Sequence, residues 1–324
     1  MKQTVWLFPI IKRSFVWLAI GLVLSLGSLV LFVVNFRPSI EFTGGIQMWL
    51  QEVKAPDQLK TDIVDTLTQQ WFKDIQVNVE EISSGATLLV SLPFKDDNEV
   101  KLVSDRISQV LLEKWHIASD TDIIGLTLNG PSVSDYMKSS TVSALIVGIL
   151  FIAIYMMFSF ASMRKHISPL TLAFVAIATM IFDISIPTGA YALWMSMNHT
   201  VTVDTIFVIA IMTTIGYSIN DTIIILDRIR ENTAKNKEWL EKWTILYADV
   251  FESSLWQTMR RSLGTGLSTL LAVIAMFSFW ESAMQSFAFV MWVGILAGTY
   301  SSIFVWAPLA YVLLGRRQKE FKKM

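Results

Sequence analysis

Apolar, almost uncharged residues run on over 14–36, 139–160, 168–194, 201–226, 262–280 and 286–314. Each run approaches or exceeds the roughly 20 residues needed to cross the hydrocarbon core of a bilayer. The pattern between the first two runs is different. Residues 40–53 have strand character, and 57–72 read as a helix with Leu59, Ile63, Leu67 and Trp71 four apart. Residues 75–82 and 86–92 read as two strands around a Ser-Ser-Gly turn. A second amphipathic helix spans 96–115, with Val100, Val103, Ile107, Val110 and Leu111 on one face, and a last strand spans 121–128. The predicted fold class is therefore a polytopic α-helical membrane protein with six transmembrane helices. Between the first and second helices lies an α+β domain of ferredoxin-like βαββαβ order.

The expected domains are 1–36 (N-terminus and first span), 37–138 (the α+β insert), 139–315 (the remaining spans, with a loop at 227–261) and 316–324 (a basic tail). Within the loop, Leu240, Trp243, Tyr247, Val250, Phe251 and Trp256 recur at helical spacing. That fits a helix lying on the membrane surface, and equally a helix packed against neighbouring protein.

Composition supports the membrane assignment: 53% of the 324 residues are hydrophobic and 16% are charged, against about 25% charged in soluble proteins. Of the 26 Lys and Arg, nine fall within 37–138 and the rest lie in short segments on the opposite side of the predicted spans. Short loops decide orientation and long inserts cross regardless of charge. Both termini are thus expected in the cytoplasm of a multi-pass inner-membrane protein, with the insert outside. The first run exceeds a signal-peptide core and no small-residue cleavage site follows it, so it is expected to remain as a span.

Several chemistries have no residues to perform them. Cysteine is absent, and no glycine directly precedes a lysine as a phosphate loop requires. His116, His166 and His199 fall in three separate segments, so no metal site is expected. The chain reads as neither a nucleotide hydrolase nor a soluble enzyme, and nucleic acid is not an expected partner.

Charges at membrane depth are costly and usually functional. Asp221 lies in the inner half of the fourth run, and Thr214, Ser218 and Asp221 form one polar stripe at 3.6 residues per turn, with Thr213 and Tyr217 beside it. Such a stripe should face other helices or a water-filled path. A dehydrated carboxylate holds its proton more tightly and a nearby Arg loosens it, so a group that gains and loses such a neighbour can carry a proton across. Asp221 lies about 9 Å above the inner end of its span, within reach of Arg261. Arg260 and Arg261 fit ordinary positive-inside anchors as well. Asp183, near mid-membrane, either extends the polar path or hydrogen-bonds a neighbouring helix. Asp204 is offset from Asp221 by about 100° and reads as an interfacial or capping residue. Gly294 and Gly298 form a GxxxG pattern that permits close helix approach.

These residues carry a resemblance. Gly216-Tyr217-Ser218-Ile219-Asn220-Asp221-Thr222, running into Asp227-Arg228-Ile229-Arg230-Glu231-Asn232, resembles the SecF signature of the SecD/SecF family, in the resistance–nodulation–division superfamily. Glu41-Phe42-Thr43-Gly44-Gly45 is similar to the motif that opens the family's first external domain, with Glu in place of the usual Asp. Gly130-Pro131-Ser132-Val133 and Gln257-Thr258-Met259-Arg260-Arg261-Ser262 are similar as well. Further departures are Phe182 where a His is common, Trp280-Glu281 in place of Gly-Gly, and a longer connection between Asp221 and Arg261. The resemblance implies a subunit that pairs with SecD, associates with the SecYEG channel and helps draw exported preproteins outward with the proton-motive force. It implies Asp221 as proton carrier, Arg261 as its partner and Asp183 as a further family Asp, with protons as coupling ion and no other cofactor. Six spans make half of such a machine, so another chain is expected to supply the rest. A half-sized pump for lipids or drugs, and a scaffold without an energetic role, are the competing readings.

Overall fold

The computed structural model of the chain describes residues 9–51, 53, 55–69, 76–82, 85–91, 94–117, 122–159, 169–198, 201–237, 240, 246–279 and 283–313. Its elements are α1 (Ser14–Asn35), α2 (Ile40–Thr43), β1 (Gly45–Leu50), α3 (Pro56–Gln69), β2 (Gln76–Ile82), β3 (Gly85–Ser91), α4 (Asp97–Trp115), β4 (Ile123–Asn129), α5 (Pro131–Ser159), α6 (Pro169–Met197), α7 (Thr205–Lys235), α8 (Tyr247–Phe279) and α9 (Ala283–Ser301). They divide into two compact units. One comprises Arg37–Ala144 with His199–Thr205; the other comprises Met1–Phe36, Leu145–Asn198 and Ile206–Met324.

The first unit is built on a four-stranded antiparallel sheet of order β2-β3-β1-β4. Side chains alternate between the faces of a strand, and the inward set, Ile46, Met48 and Leu50 of β1 with Leu88 and Val90 of β3, is buried. Leu59, Ile63 and Leu67 of α3 and Val100, Val103, Ile107 and Leu111 of α4 cover that face. Asp96 caps α4, its carboxylate accepting from the N–H groups of Asn98 and Glu99 at 2.9 Å, while Glu99 accepts from Lys95 N at 2.8 Å. The arrangement is like a capping box, with the return bond made to the residue before the N-cap. The Gly130-Pro131-Ser132 motif opens α5: Ser132 N–H and hydroxyl donate to Asp97, whose carboxylate occupies the space a Cβ at Gly130 would need.

The strand expected over 40–53 begins only at Gly45. Residues 40–43 form a helical turn instead, because Ser39 Oγ accepts from Glu41 N–H at 3.2 Å and caps it. Gly44 (φ 79°) and Gly45 (φ 155°) then turn the chain into β1. A Cβ at Gly45 would stand 2.8 Å from both Ile40 Cγ2 and the Val90 carbonyl oxygen, so the paired glycines serve a tight turn with close backbone packing.

Among the described residues, six helices are long and apolar enough to cross a membrane: Ile11–Asn35, Pro131–Ser159, Leu170–Met197, Thr205–Lys235, Tyr247–Phe279 and Met284–Leu313. Within the second unit, α1 lies close against α6. Ser25 and Ser185 hydroxyls are 2.7 Å apart, and a Cβ at Gly189 would stand 2.4 Å from Ser28 Cβ. Elsewhere α1 exposes apolar residues such as Phe15, Val23 and Val30, as a lipid-facing helix does.

Most of the described residues of 227–261 lie on continuations of two long helices. Helix α7 runs nine residues past Leu226 to Lys235, and α8 begins at Tyr247, fifteen residues before Ser262. The apolar spacing there serves packing within the chain. Phe251 and Leu255 are buried, Phe251 meets Tyr311 edge-on at 5.9 Å, and Asn232 Nδ2 donates to Ser254 Oγ at 2.8 Å and Gln257 Oε1 at 3.0 Å. Trp71, the Ser83-Ser84 turn, Arg164, Lys165, Trp243, Trp280-Glu281 and the tail 316–324 lie outside the described residues.

Glu252 joins α8 to the start of α1. Its two carboxylate oxygens accept from Ile10 N at 2.9 Å and Ile11 N at 2.8 Å, and Trp256 Nε1 donates to it at 3.1 Å. Helix starts leave N–H groups without partners, and a carboxylate there is favourable. Glu252→Ala should therefore cost about 1–3 kcal/mol and lower the thermal unfolding midpoint of the detergent-solubilised chain, with Glu252→Gln intermediate. Unchanged midpoints would remove this role.

Candidate functional site

The polar stripe on α7 is buried inside the helical unit. Thr214, Ser218, Asp221 and Thr222 are each 2% exposed or less. Apolar Ile211, Ile215 and Ile225 flank them on the same helix. Thr213 and Asn220 are exposed and Tyr217 is half-buried, so those three lie off the buried face.

Helix α9 receives this stripe. A Cβ at Gly294 would stand 2.3 Å from Thr214 Cγ2, and one at Gly298 would stand 2.9 Å from Ser218 Cβ. The GxxxG pattern is thus the surface against which the stripe packs. One turn further along α9, Ser301 Oγ lies 3.4 Å from Ser218 Oγ. Ser302 Oγ lies 3.0 Å from Thr222 Oγ1 and donates to the Ser218 carbonyl at 3.3 Å.

Asp183 enters the same core from α6. It is 2% exposed, and its Oδ2 accepts the Ser218 hydroxyl proton at 2.6 Å. Its Oδ1 is buried without a partner, as is Oδ2 of Asp221, one turn beyond Ser218 on α7. Of the two readings of Asp183, the hydrogen bond to a neighbouring helix is present, and it also makes Asp183 contiguous with the stripe. An unpaired carboxylate oxygen in an apolar interior is costly. Two of them in one core make it a functional candidate.

Two of the helices facing α7, α6 and α9, are irregular at this level. Pro187 lies inside α6, and having no N–H it removes the usual donor to the carbonyl four residues back, that of Asp183. Residues Ser302–Trp306 form a π-helical turn directly after α9. Such turns widen a helix and cluster at functional sites.

The remaining candidates are placed as follows. Ser262 of α8 is buried, whereas Arg260 and Arg261 are exposed. Ser262 and Arg261 lie within electrostatic reach of the Asp221 carboxyl, but none of the ion pairs among the described residues joins Arg261 to Asp221. Tyr217 directs its hydroxyl toward α8, where a Cβ at Gly266 would be 3.8 Å from it. Asp227, Arg228, Arg230, Glu231 and Lys235 pair with one another along α7, at 2.5 Å for Asp227–Arg230 and 2.6 Å for Arg228–Glu231 and Lys235–Glu231. Phe42, Thr43, Gly44 and Gly45 belong to the other unit. Sequence reasoning missed Ser301, Ser302 and Pro187. Their signal was present: Gly298 follows Gly294 by four residues, Ser301 and Ser302 follow Gly298 by three and four, and Pro187 follows Asp183 by four.

A family model described as protein export membrane protein SecD/SecF, C-terminal, matches residues 100–316. Protein translocase subunit SecF of Synechocystis sp. is 30% identical over 275 residues, covering 85% of this chain and 82% of the relative. Protein translocase subunit SecDF of Thermus thermophilus is 29% identical over 92% of this chain, which spans 37% of that relative's length. The crystal structure of a translocon-associated SecDF from Thermus thermophilus superposes with a TM-score of 0.73 at 25% identity, covering 95% of this chain and 39% of the SecDF chain. On the extent of these matches, the chain belongs to the SecD/SecF family of protein translocase subunits.

Proposed function

We propose that the chain is the SecF-type half of a machine that uses the proton-motive force to assist protein export, with Asp221, Ser218 and Asp183 as its proton-handling core. The observation that carries this reading is the pair of buried aspartates, each with an unpartnered oxygen, within helices of membrane length: Asp183 accepts from Ser218, which lies one turn from Asp221 on α7. A buried network of hydroxyls and carboxyls has alternative proton arrangements. Ser301 donates to the Gly298 carbonyl at 3.0 Å and has Ser218 as its other acceptor. Arg261 enters the cycle as the charge that approaches Asp221 when the bundle changes state, since it stands near Asp221 without an ion pair. Protons are the coupling ion, and no nucleotide hydrolysis is required.

The placement of the parts follows the same reading. The Arg37–Ala144 unit is the external domain, and its strand order β2-β3-β1-β4, with helices in both crossovers, supports a ferredoxin-like fold. The basic short loops support cytoplasmic termini in the inner membrane. SecD is the expected partner, because relatives named SecDF in Thermus thermophilus and Brucella abortus carry the matching region within a chain more than twice as long. The SecYEG channel and exported preproteins complete the assembly.

In proteoliposomes holding the chain, SecD and the channel, Asp221→Asn should reduce proton-dependent stimulation of export by at least about tenfold. The protein should remain folded and paired with SecD. Normal stimulation and proton flux would refute the proton role. Ser218→Ala should lower proton flux less than Asp221→Asn does, because the Ser301 hydroxyl also reaches the Asp183 carboxyl. An unaltered flux would take Ser218 out of the path.

A further inference from the structure

We propose that Glu41 is a positioning residue that, within the unit formed by Arg37–Ala144 and His199–Thr205, fastens the first residue of α7 to the base of the sheet, so that movement of the Asp221-bearing helix is delivered to the sheet. This rests on the reading of Asp221 as a proton site.

Glu41 Oε2 accepts two hydrogen bonds from one residue: from Thr205 N at 2.8 Å and from Thr205 Oγ1 at 2.6 Å. Thr205 is the first residue of α7. Its N–H is one of the donors a helix start leaves unpaired, and a carboxylate is the favoured group there. Charge-assisted bonds of this kind are about twice as strong as neutral ones.

The tie is reinforced by the backbone. Pro38 and Val203 form a parallel bridge, Ser39 N donates to Val203 O at 2.9 Å, and Val203 N donates to Arg37 O at 2.8 Å. Glu41 is itself held in a capped helical turn whose last residue is followed by Gly44 and then by β1. Strand β1 is an inner strand of the sheet, paired on both sides.

On the other side, α7 continues without interruption from Thr205 to Asp221, about 24 Å along the axis at 1.5 Å per residue. The chain therefore offers one continuous load path from Asp221 along α7 to Thr205, then through Glu41 to β1. The Glu41 carboxylate ends on the helix start. Glu41 touches no proton-carrying group, so its effect is on transmission.

The test uses the full chain with SecD and the channel in proteoliposomes, with proton flux and preprotein export read in the same vesicles. Glu41→Ala should lower proton-dependent export about tenfold while leaving proton flux near the wild-type value. The chain has no cysteine, so Glu41→Cys with Thr205→Cys allows a reducible bis-thiol bridge. Export should be low in the reduced form, recover on bridging and fall again on reduction. This comparison within one preparation also decides the matter if Glu41→Ala does not assemble. Normal export in Glu41→Ala, equal loss of flux and export, or inhibition by the bridge would each overturn the proposal. Asp221→Asn run alongside separates the two levels: unchanged flux in that variant would refute the proton reading itself, independently of the tie.

Discussion

The hydrogen bond from Ser218 to Asp183 is the contact around which the helical unit is organised. A carboxyl group brought into an apolar interior must find polar partners or pay heavily in lost hydration. Here the partner comes from a different helix, which fixes the register of α6 against α7. Once Ser218 is committed to Asp183, the rest of its surroundings must be small. Gly298 leaves room for its backbone, and Ser301 and Ser302 supply hydroxyls where larger residues would not fit. Asp221 follows on the same face of α7 and shares the enclosure.

The same constraint accounts for the irregular backbone nearby. Pro187 withdraws a donor beneath Asp183, and a π-turn follows Ser301. In a membrane, unsatisfied backbone is tolerated where protein or a polar cavity surrounds it, and the serines here provide such surroundings. Two helices with locally loosened ladders flank one continuous helix, α7. That division suits a core whose walls rearrange around a stiff rod.

Much of this was legible in the sequence, and the parts that were not share a cause. Long apolar runs reveal membrane-length helices because length and hydrophobicity are local properties. The spacing of Leu59, Ile63 and Leu67, and of Thr214, Ser218 and Asp221, marked buried faces for the same reason. The lengths of α7 and α8 beyond their apolar runs were not legible, because charged and amphipathic turns continue a helix without a hydropathy signal. Contacts of high sequence separation were hidden as well. Glu252 meets Ile10 across 242 residues and Glu41 meets Thr205 across 164, and no periodicity links such pairs. Ser301 and Ser302 were overlooked because small hydroxyl residues in a span look innocuous until a carboxylate is placed opposite them. The turn at 40–43 was read as strand because Ile and Phe favour strands, while the Ser39 cap decided otherwise.

In the proposed mechanism the Asp183–Ser218–Asp221 core takes up and releases a proton as the membrane is energised. Infrared difference spectroscopy of the reconstituted chain with SecD, recorded in the carboxyl-stretch region as a proton gradient is imposed and collapsed, reads this directly. A reversible carboxyl band should follow the gradient and be lost in Asp221→Asn. A carboxyl region that does not respond to the gradient, or a responding band that survives in Asp221→Asn with Asp183→Asn, would contradict it.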